Sequence, residues 1–400
     1  MFNFAIPRVT MIIDLERCRK DTPAVTELLH FNNAGCALSP VNVTSAVIEH
    51  LQLEQSLGGY EAANAASDKL KLFYSEFAKL LHCSPTQIAY IENASRAWDM
   101  ALYSIDWQAG DQIITADNEY VSNYLALLHL QQQKHIEIVL VPCDDEGLVD
   151  LDKLRSAITL RTKMIALTHV ASQRGDIQEA AQVGVIAKEN GLLYLLDACQ
   201  SAGQIDLDTQ QLGCDFLCGT GRKYLRGPRG TGFLYASAAA IENSSPIFVD
   251  NHSAHWTGST SYSLSADATK FETWERNISG KIGLAEAVRY ANELGMVNIQ
   301  HRVNELAKEL NNKLSSLESV TVLERSNYLS GIVTFQKKGV SATSLAGDLL
   351  ERKINTSVSR QENAQLDLAA KNIGDVNRAS LHYYNTSDEI DRFVNAVAEC

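Results

Sequence analysis

Six short apolar runs alternate with stretches of helical periodicity between residues 88 and 218. The runs are Ile88 to Ile91, Gln112 to Thr115, Ile136 to Val141, Met164 to Val170, Leu192 to Asp197 and Phe216 to Cys218. The helical stretches include Ala94 to Ile105, Val121 to Gln133, Leu151 to Ile158 and Gln178 to Asn190. Most of the runs are continuously apolar, as a strand is when both of its faces are covered. Repeated units of this kind imply an α/β fold with a mainly parallel, doubly wound sheet.

Ligands of such sheets lie beyond the carboxyl ends of the strands. Polar residues fall where that rule puts them. Glu92-Asn93-Ala94-Ser95-Arg96 follows the first run, and Asp117-Asn118-Glu119-Tyr120 the second. Ser172-Gln173-Arg174-Gly175 follows the fourth and Asp197-Ala198-Cys199-Gln200 the fifth. The sixth run leads into Gly219-Thr220-Gly221-Arg222-Lys223-Tyr224-Leu225-Arg226-Gly227-Pro228-Arg229-Gly230-Thr231-Gly232. There one lysine sits among glycines and arginines. Glycines allow close backbone approach to a ligand. Arginines suit a phosphate or a carboxylate. A lone lysine among them reads as a nucleophile or as part of an exposed basic hairpin.

The flanks read differently. An N-terminal arm and a helix, ending near His30, precede Phe31-Asn32-Asn33-Ala34-Gly35. Helices follow over Val41 to Gln55 and Glu61 to Leu81. Beyond Phe271 come long helices, short strands at Val320 to Leu323, Gly331 to Phe335 and Val376 to Tyr384, and a closing helix that Thr386 and Glu389 cap as a box. The expected division is an arm over 1–30 that joins a small domain, a large domain over 31–277 and a smaller α+β domain over 278–400.

Bulk properties narrow the function. The 400 residues carry a net charge of -13, which argues against nucleic acid as the main partner. No apolar run approaches membrane-spanning length. The eight cysteines form no CxxC pair and have no histidine at zinc-ligand spacing, so no metal site is expected. With no export signal in view, they read as reduced thiols of a cytoplasmic protein.

Each constellation has a bland reading and a chemical one. Ala94 and Ser95 at a helix start form an anion site, or Asn93 is simply an N-cap. Asp197, closing a buried strand, needs a cationic partner or a core hydrogen bond. Gln200 is spaced to turn toward the same ligand. Thr220, Arg222 and Lys223 form one cluster, and cationic neighbours favour the amine form of the lysine. Tyr120 is a stacking ring or a core tyrosine. Arg378 is a carboxylate clamp or a surface arginine. Gly219-Thr220-Gly221 fails the dinucleotide fingerprint, because Tyr224 replaces the third glycine, and no P-loop is present. Together these parts describe a phosphate, a basic ring nitrogen, a flat face and an aldehyde: pyridoxal 5′-phosphate.

The chain also resembles the class V aminotransferase group of fold-type I pyridoxal-phosphate enzymes. That group includes cysteine desulfurases, selenocysteine lyases, isopenicillin N epimerase-like proteins and C–S lyases. The resemblance rests on Asn32-Asn33-Ala34-Gly35, Asn93-Ala94-Ser95, Glu119-Tyr120, Thr168-His169-Val170, Asp197-Ala198-Cys199-Gln200, the Lys223 loop, Phe271-Glu272-Thr273-Trp274-Glu275 and Arg378-Ala379-Ser380. It implies Lys223 as the Schiff-base lysine and proton carrier, Asp197 on the ring nitrogen and Gln200 on the ring hydroxyl. It implies Tyr120 as the stacking ring, where desulfurases often have His, and Ser172 beside the ring. Ala94, Ser95, Thr220 and Arg222 would hold the phosphate, and Gly35 and Arg378 the substrate. It further implies a homodimer with sites at the subunit interface.

Two departures stand out. Desulfurases carry a mobile-loop cysteine ahead of the carboxylate arginine, yet no cysteine lies between Asn355 and Asn377. That argues against a persulfide-forming desulfurase. Glu275 stands where desulfurases have a phosphate-binding Thr from the neighbouring subunit. The expected activity is β-elimination from a cysteine-derived amino acid. Transamination, epimerisation and decarboxylation are alternatives on the same machinery, and a cofactor-binding module without turnover is the non-enzymatic one.

Overall fold

The computed structural model describes residues 13–325 and 328–400. Its strands, in chain order, are β1 (Leu29–His30), β2 (Ile88–Ile91), β3 (Gln112–Ala116), β4 (Glu137–Val141), β5 (Thr162–Thr168), β6 (Leu193–Asp197), β7 (Phe216–Thr220), β8 (Gly232–Ala236), β9 (Ala254–Gly258), β10 (Ser261–Leu264), β11 (Val320–Val322), β12 (Ile332–Lys337), β13 (Ile354–Asn355), β14 (Ser357–Ser359) and β15 (Val376–Ser380).

The central sheet has seven strands in the order β2-β8-β7-β6-β5-β3-β4. β8 runs antiparallel to both of its neighbours, so the other six point the same way. The reason for the continuous apolar runs is visible in one strand. Leu196 packs into the core on one face of the sheet and Leu195 into the core on the other. Neither face leaves room for a polar residue until the strand ends. From β3 the chain steps outward to β4, then returns past β3 to β5, β6 and β7. The crevice at β3 and β5 is therefore a topological switch point.

A four-stranded antiparallel sheet, β11-β12-β15-β14, forms the second core with helices Met296–Ser315 and Ser387–Glu399. Thr386 and Glu389 complete the expected capping box. The N-terminal segment joins this core: β1 pairs with β13, and Phe31 stacks on Phe393 with ring centroids 4.6 Å apart. The long helix Ile278–Leu294 packs on helices Val41–Leu57 and Ser67–Leu80 of the large sheet's core.

Several elements differ from expectation. The first helix is Leu15–Lys20, and Leu29–His30 is a strand rather than a helix end. Residues 1–12 of the expected arm lie outside the described residues. The helix expected over Glu61 to Leu81 is two helices, Gly59–Ala65 and Ser67–Leu80, that meet at Ala66. β15 stops at Ser380, because the backbone beyond it turns away: the His382 N–H bonds the Asn385 side chain instead of a neighbouring strand. The hairpin β9–β10 was not foreseen, since most of its residues are exposed and it lacks the two-residue alternation of a half-buried strand.

Candidate active site

Register brings the strand ends into line. Thr168 pairs with Asp197, and Asp197 with Cys218 two residues before Thr220. β7 and β8 then place Thr220 opposite Gly232. A Cβ on Gly232 would lie 3.0 Å from the Asn93 backbone, so only glycine lets the Asn93 turn close against this edge. Ala94 and Ser95 open a ten-residue helix there, with Asn93 Oδ1 accepting from the Arg96 N–H. The leading N–H groups of a helix have no partner within it and favour an anion. Thr220 is buried beside this edge and its hydroxyl donates to the Thr231 carbonyl at 3.4 Å.

Lys223 is buried, and its Nζ lies 5.9 Å from the centre of the Tyr120 ring. Burial lowers its proton affinity. Asp197 and Cys199 pull the other way, while Arg222 and Arg378 lower it further. The result is a lysine readier than usual to be a free amine. Arg222 is half-buried, and its Nη1 donates to the Gly35 carbonyl. Two expected site residues thus touch directly. The Arg222 carbonyl accepts from the Ala37 N–H, which ties the Lys223 loop to the segment that carries Gly35.

Asp197 is buried at the end of β6. Its Oδ1 accepts from the Cys199 N–H and its Oδ2 from Asn123 Nδ2, each at 2.7 Å. Gln200 donates to the Ala34 carbonyl at 3.2 Å, while its Oε1 is buried with no partner among the described residues. Arg378, on β15, donates through Nη1 to the Ser172 carbonyl at 2.8 Å and leaves Nε buried and unpartnered. His169 is buried, with Nδ1 unpartnered, and burial holds its proton affinity down, to a pKa of about 4. It is neutral at physiological pH.

The Lys223 loop divides unexpectedly. Arg226 is buried away from the ligand cluster with a positive φ of 63°. It donates to the Leu38 carbonyl, the Tyr383 hydroxyl and Thr22, so it fastens the N-terminal segment to the loop. Arg229 is exposed.

Sequence reasoning gave no role to Asn123 and none of its own to Glu119. Glu119 is buried and collects donors from Thr115, Thr168, Tyr120 and Asn123. Glu119 lies just before the N-cap Tyr120 of helix Val121–Lys134 and Asn123 in its first turn, and no periodicity in that segment marks the pair.

The donor set fits pyridoxal 5′-phosphate. Gln200 Oε1 and Arg378 Nε are buried polar atoms without partners, which a bound ligand would satisfy. A helix start suits a phosphate, a buried carboxylate suits a protonated ring nitrogen, and a buried lysine suits an aldehyde. Among the described residues no group of three or more His, Cys, Asp or Glu side chains could hold a metal ion.

The sequence model of the aminotransferase class-V family matches residues 29–393. A probable cysteine desulfurase of Methanothermobacter thermautotrophicus is 28% identical over 94% of this chain and 95% of its own. The apo structure of a cysteine desulfurase from Thermococcus onnurineus superposes with a TM-score of 0.89 at 27% identity, covering 97% of this chain and 98% of that one. The cystine C–S lyase C-DES, solved in complex with its reaction product cysteine persulfide, has a TM-score of 0.86 at 20% identity over 94% of this chain and 99% of that one, a likeness of fold alone.

Proposed function

The chain belongs to the class-V aminotransferase family, and from that membership we propose that it is a pyridoxal 5′-phosphate enzyme that cleaves the C–S bond of cysteine or a cysteine-derived amino acid by β-elimination. The observation that carries the reading is Lys223, a buried lysine with a lowered proton affinity whose Nζ lies 5.9 Å from the centre of the Tyr120 ring and which feels the charge of Asp197. Relatives bearing the name cysteine desulfurase support the C–S substrate class.

When bound, the cofactor supplies an electron sink that stabilises negative charge at the substrate's α-carbon. The residues divide the remaining work. Lys223 supplies the amine that bonds the aldehyde carbon. Its amine, when free, would be the base for the substrate's α-proton. Asp197, held by two donors, would face the ring nitrogen as its partner. Ala94, Ser95 and Thr220 hold the phosphate, with Arg222 at the Gly35 side of the pocket. Gln200 and Ser172 would meet the ring's polar edge, and Tyr120 would lie against its face. Arg378 takes the substrate carboxylate, and Gly35 borders it.

The segment between Asn355 and Asn377 folds as β14 and two short turns without a cysteine. No thiol stands in that segment to receive sulfur, which favours sulfur leaving on a small molecule. Hence elimination is favoured over transfer to an enzyme thiol. The readout is direct. The loaded enzyme with L-cysteine or L-cystine is expected to release pyruvate and ammonia. Alanine as the sole carbon product would overturn elimination in favour of desulfuration.

We further propose a homodimer working in the cytoplasm. Trp256 and Tyr262 pair across the β9–β10 hairpin and are 83% and 60% exposed, and Phe248 and Trp274 are half exposed nearby in sequence. A hairpin with this much exposed aromatic surface calls for a covering partner. All eight cysteines are free, which suits a reducing compartment. No helix among the described residues is long and apolar enough to cross a membrane.

A further inference from the structure

We infer that Glu119 is a positioning residue for Asp197, acting through the side-chain amide of Asn123; the inference rests on the cofactor reading above. Asn123 Nδ2 donates to Glu119 Oε1 at 3.0 Å and to Asp197 Oδ2 at 2.7 Å. The three side chains are 2%, 5% and 3% exposed, so water does not substitute for any of them. An amide nitrogen has two hydrogens. Here each goes to a different carboxylate.

The consequence is orientational. An asparagine beside one carboxylate can rotate and present its oxygen instead, which repels. Between two carboxylates only the nitrogen fits, so Glu119 locks Asn123 as a donor toward Asp197. Glu119 is itself over-determined. The Tyr120 N–H donates to its Oε1 at 2.7 Å and Thr115 Oγ1 to its Oε2 at 3.1 Å, and Thr168 Oγ1 donates to Oε1 as well. Those donors come from β3, from β5 and from the helix start that also carries Tyr120. One buried carboxyl therefore keys the stacking ring and the pyridine partner to the same rigid frame.

The test is a mutant cycle read as cofactor affinity rather than turnover. Apoprotein is titrated with pyridoxal 5′-phosphate and followed by its visible absorbance, with a thermal melt of each apoprotein to confirm folding. Asn123→Ala and Glu119→Ala are each expected to weaken binding roughly tenfold, since the first removes a donor from Asp197 and the second frees Asn123 to turn its oxygen toward that carboxylate. The double variant is expected to be no more than about twofold weaker than the weaker single, because the two act as one unit. Glu119→Gln, which retains an acceptor oxygen for Asn123, is expected to recover to within about threefold of the wild type. Where Glu119→Ala does not fold, Glu119→Leu fills the space and carries the same expectation. Wild-type-like affinity in Glu119→Ala or Glu119→Leu, or a double variant that loses the full product of the two singles, would overturn the inference. A wild-type protein that binds no cofactor would instead overturn the proposed function.

Discussion

Arg378 and Ser172 join the small sheet to the mouth of the large one: Nη1 of the arginine donates to the serine carbonyl at 2.8 Å, and Nε of the same guanidinium is buried with no partner among the described residues. Burial lowers the proton affinity of Arg378, and nearby Arg222 adds to that. Such a guanidinium is held in place but not satisfied, and a substrate carboxylate would complete it. Arg378→Ala is expected to lower kcat/KM for an amino-acid substrate by roughly a hundredfold, mostly through KM, from the loss of two charged hydrogen bonds. Arg378→Lys is expected to recover only part, lacking the fork. Steady-state kinetics check both, and an unchanged KM would remove Arg378 from the substrate site.

A second cross-domain tie should respond to pH. Glu324 is buried and accepts from the Gly175 N–H at 2.9 Å, the Thr334 hydroxyl at 2.6 Å and the Thr334 N–H at 2.9 Å. Burial, with Asp176 adding repulsion, pushes its carboxyl up to about 7. The folded value lies above the unfolded one, so the stability contribution is complete below the unfolded pKa of about 4.5 and is lost as pH rises through about 7. The loss is on the order of 3 kcal/mol. Urea unfolding at pH 5 and pH 8 should show it in the wild type and show it much reduced in Glu324→Gln. Equal pH slopes in the two proteins would contradict this assignment.

The large sheet was legible because its inner parallel strands are covered on both faces, so each apolar run ends sharply and the next polar residue faces the crevice. Lys223 and Asp197 were found that way. Other features left no local signature. β1 is two residues long and is specified by its pairing with β13, far along the chain. Ala66 interrupts a helix whose periodicity runs through it. Arg226 looked like its neighbours Arg222 and Arg229, and only the tertiary fold turns it onto Tyr383 and Thr22. Asn123, on a helix, meets Asp197 at the end of β6, a contact that no reading of its own segment supplies.

Away from the site, Lys281 lies over the Tyr74 ring at 4.1 Å and 3.8 Å from the Glu272 carboxylate, which also accepts from Tyr74, His252 and the Tyr90 N–H. Burial lowers the Lys281 pKa to about 8. Lys281→Met is expected to destabilise the fold by about 3 kcal/mol, because it strips a buried carboxylate of a cationic neighbour. Adding Glu272→Gln should cost less than the sum of the singles. Denaturant unfolding of the four proteins measures it, and full additivity would show that the pair is uncoupled.

The exposed hairpin gives the oligomer prediction. Replacing Trp256 and Tyr262 together by serine is expected to shift the protein from dimer toward monomer in size-exclusion chromatography with light scattering. An undisturbed dimer would place the interface elsewhere.

The central claim is that Lys223 is the lysine that bonds the cofactor. Protein loaded with pyridoxal 5′-phosphate, reduced with borohydride and mapped by peptide mass spectrometry, tests it most directly. The expected result is one phosphopyridoxyl adduct, on Lys223, absent from Lys223→Ala. An adduct on Lys281 or Lys270, buried lysines whose proton affinity burial also lowers, or no specific adduct at all, would contradict the account.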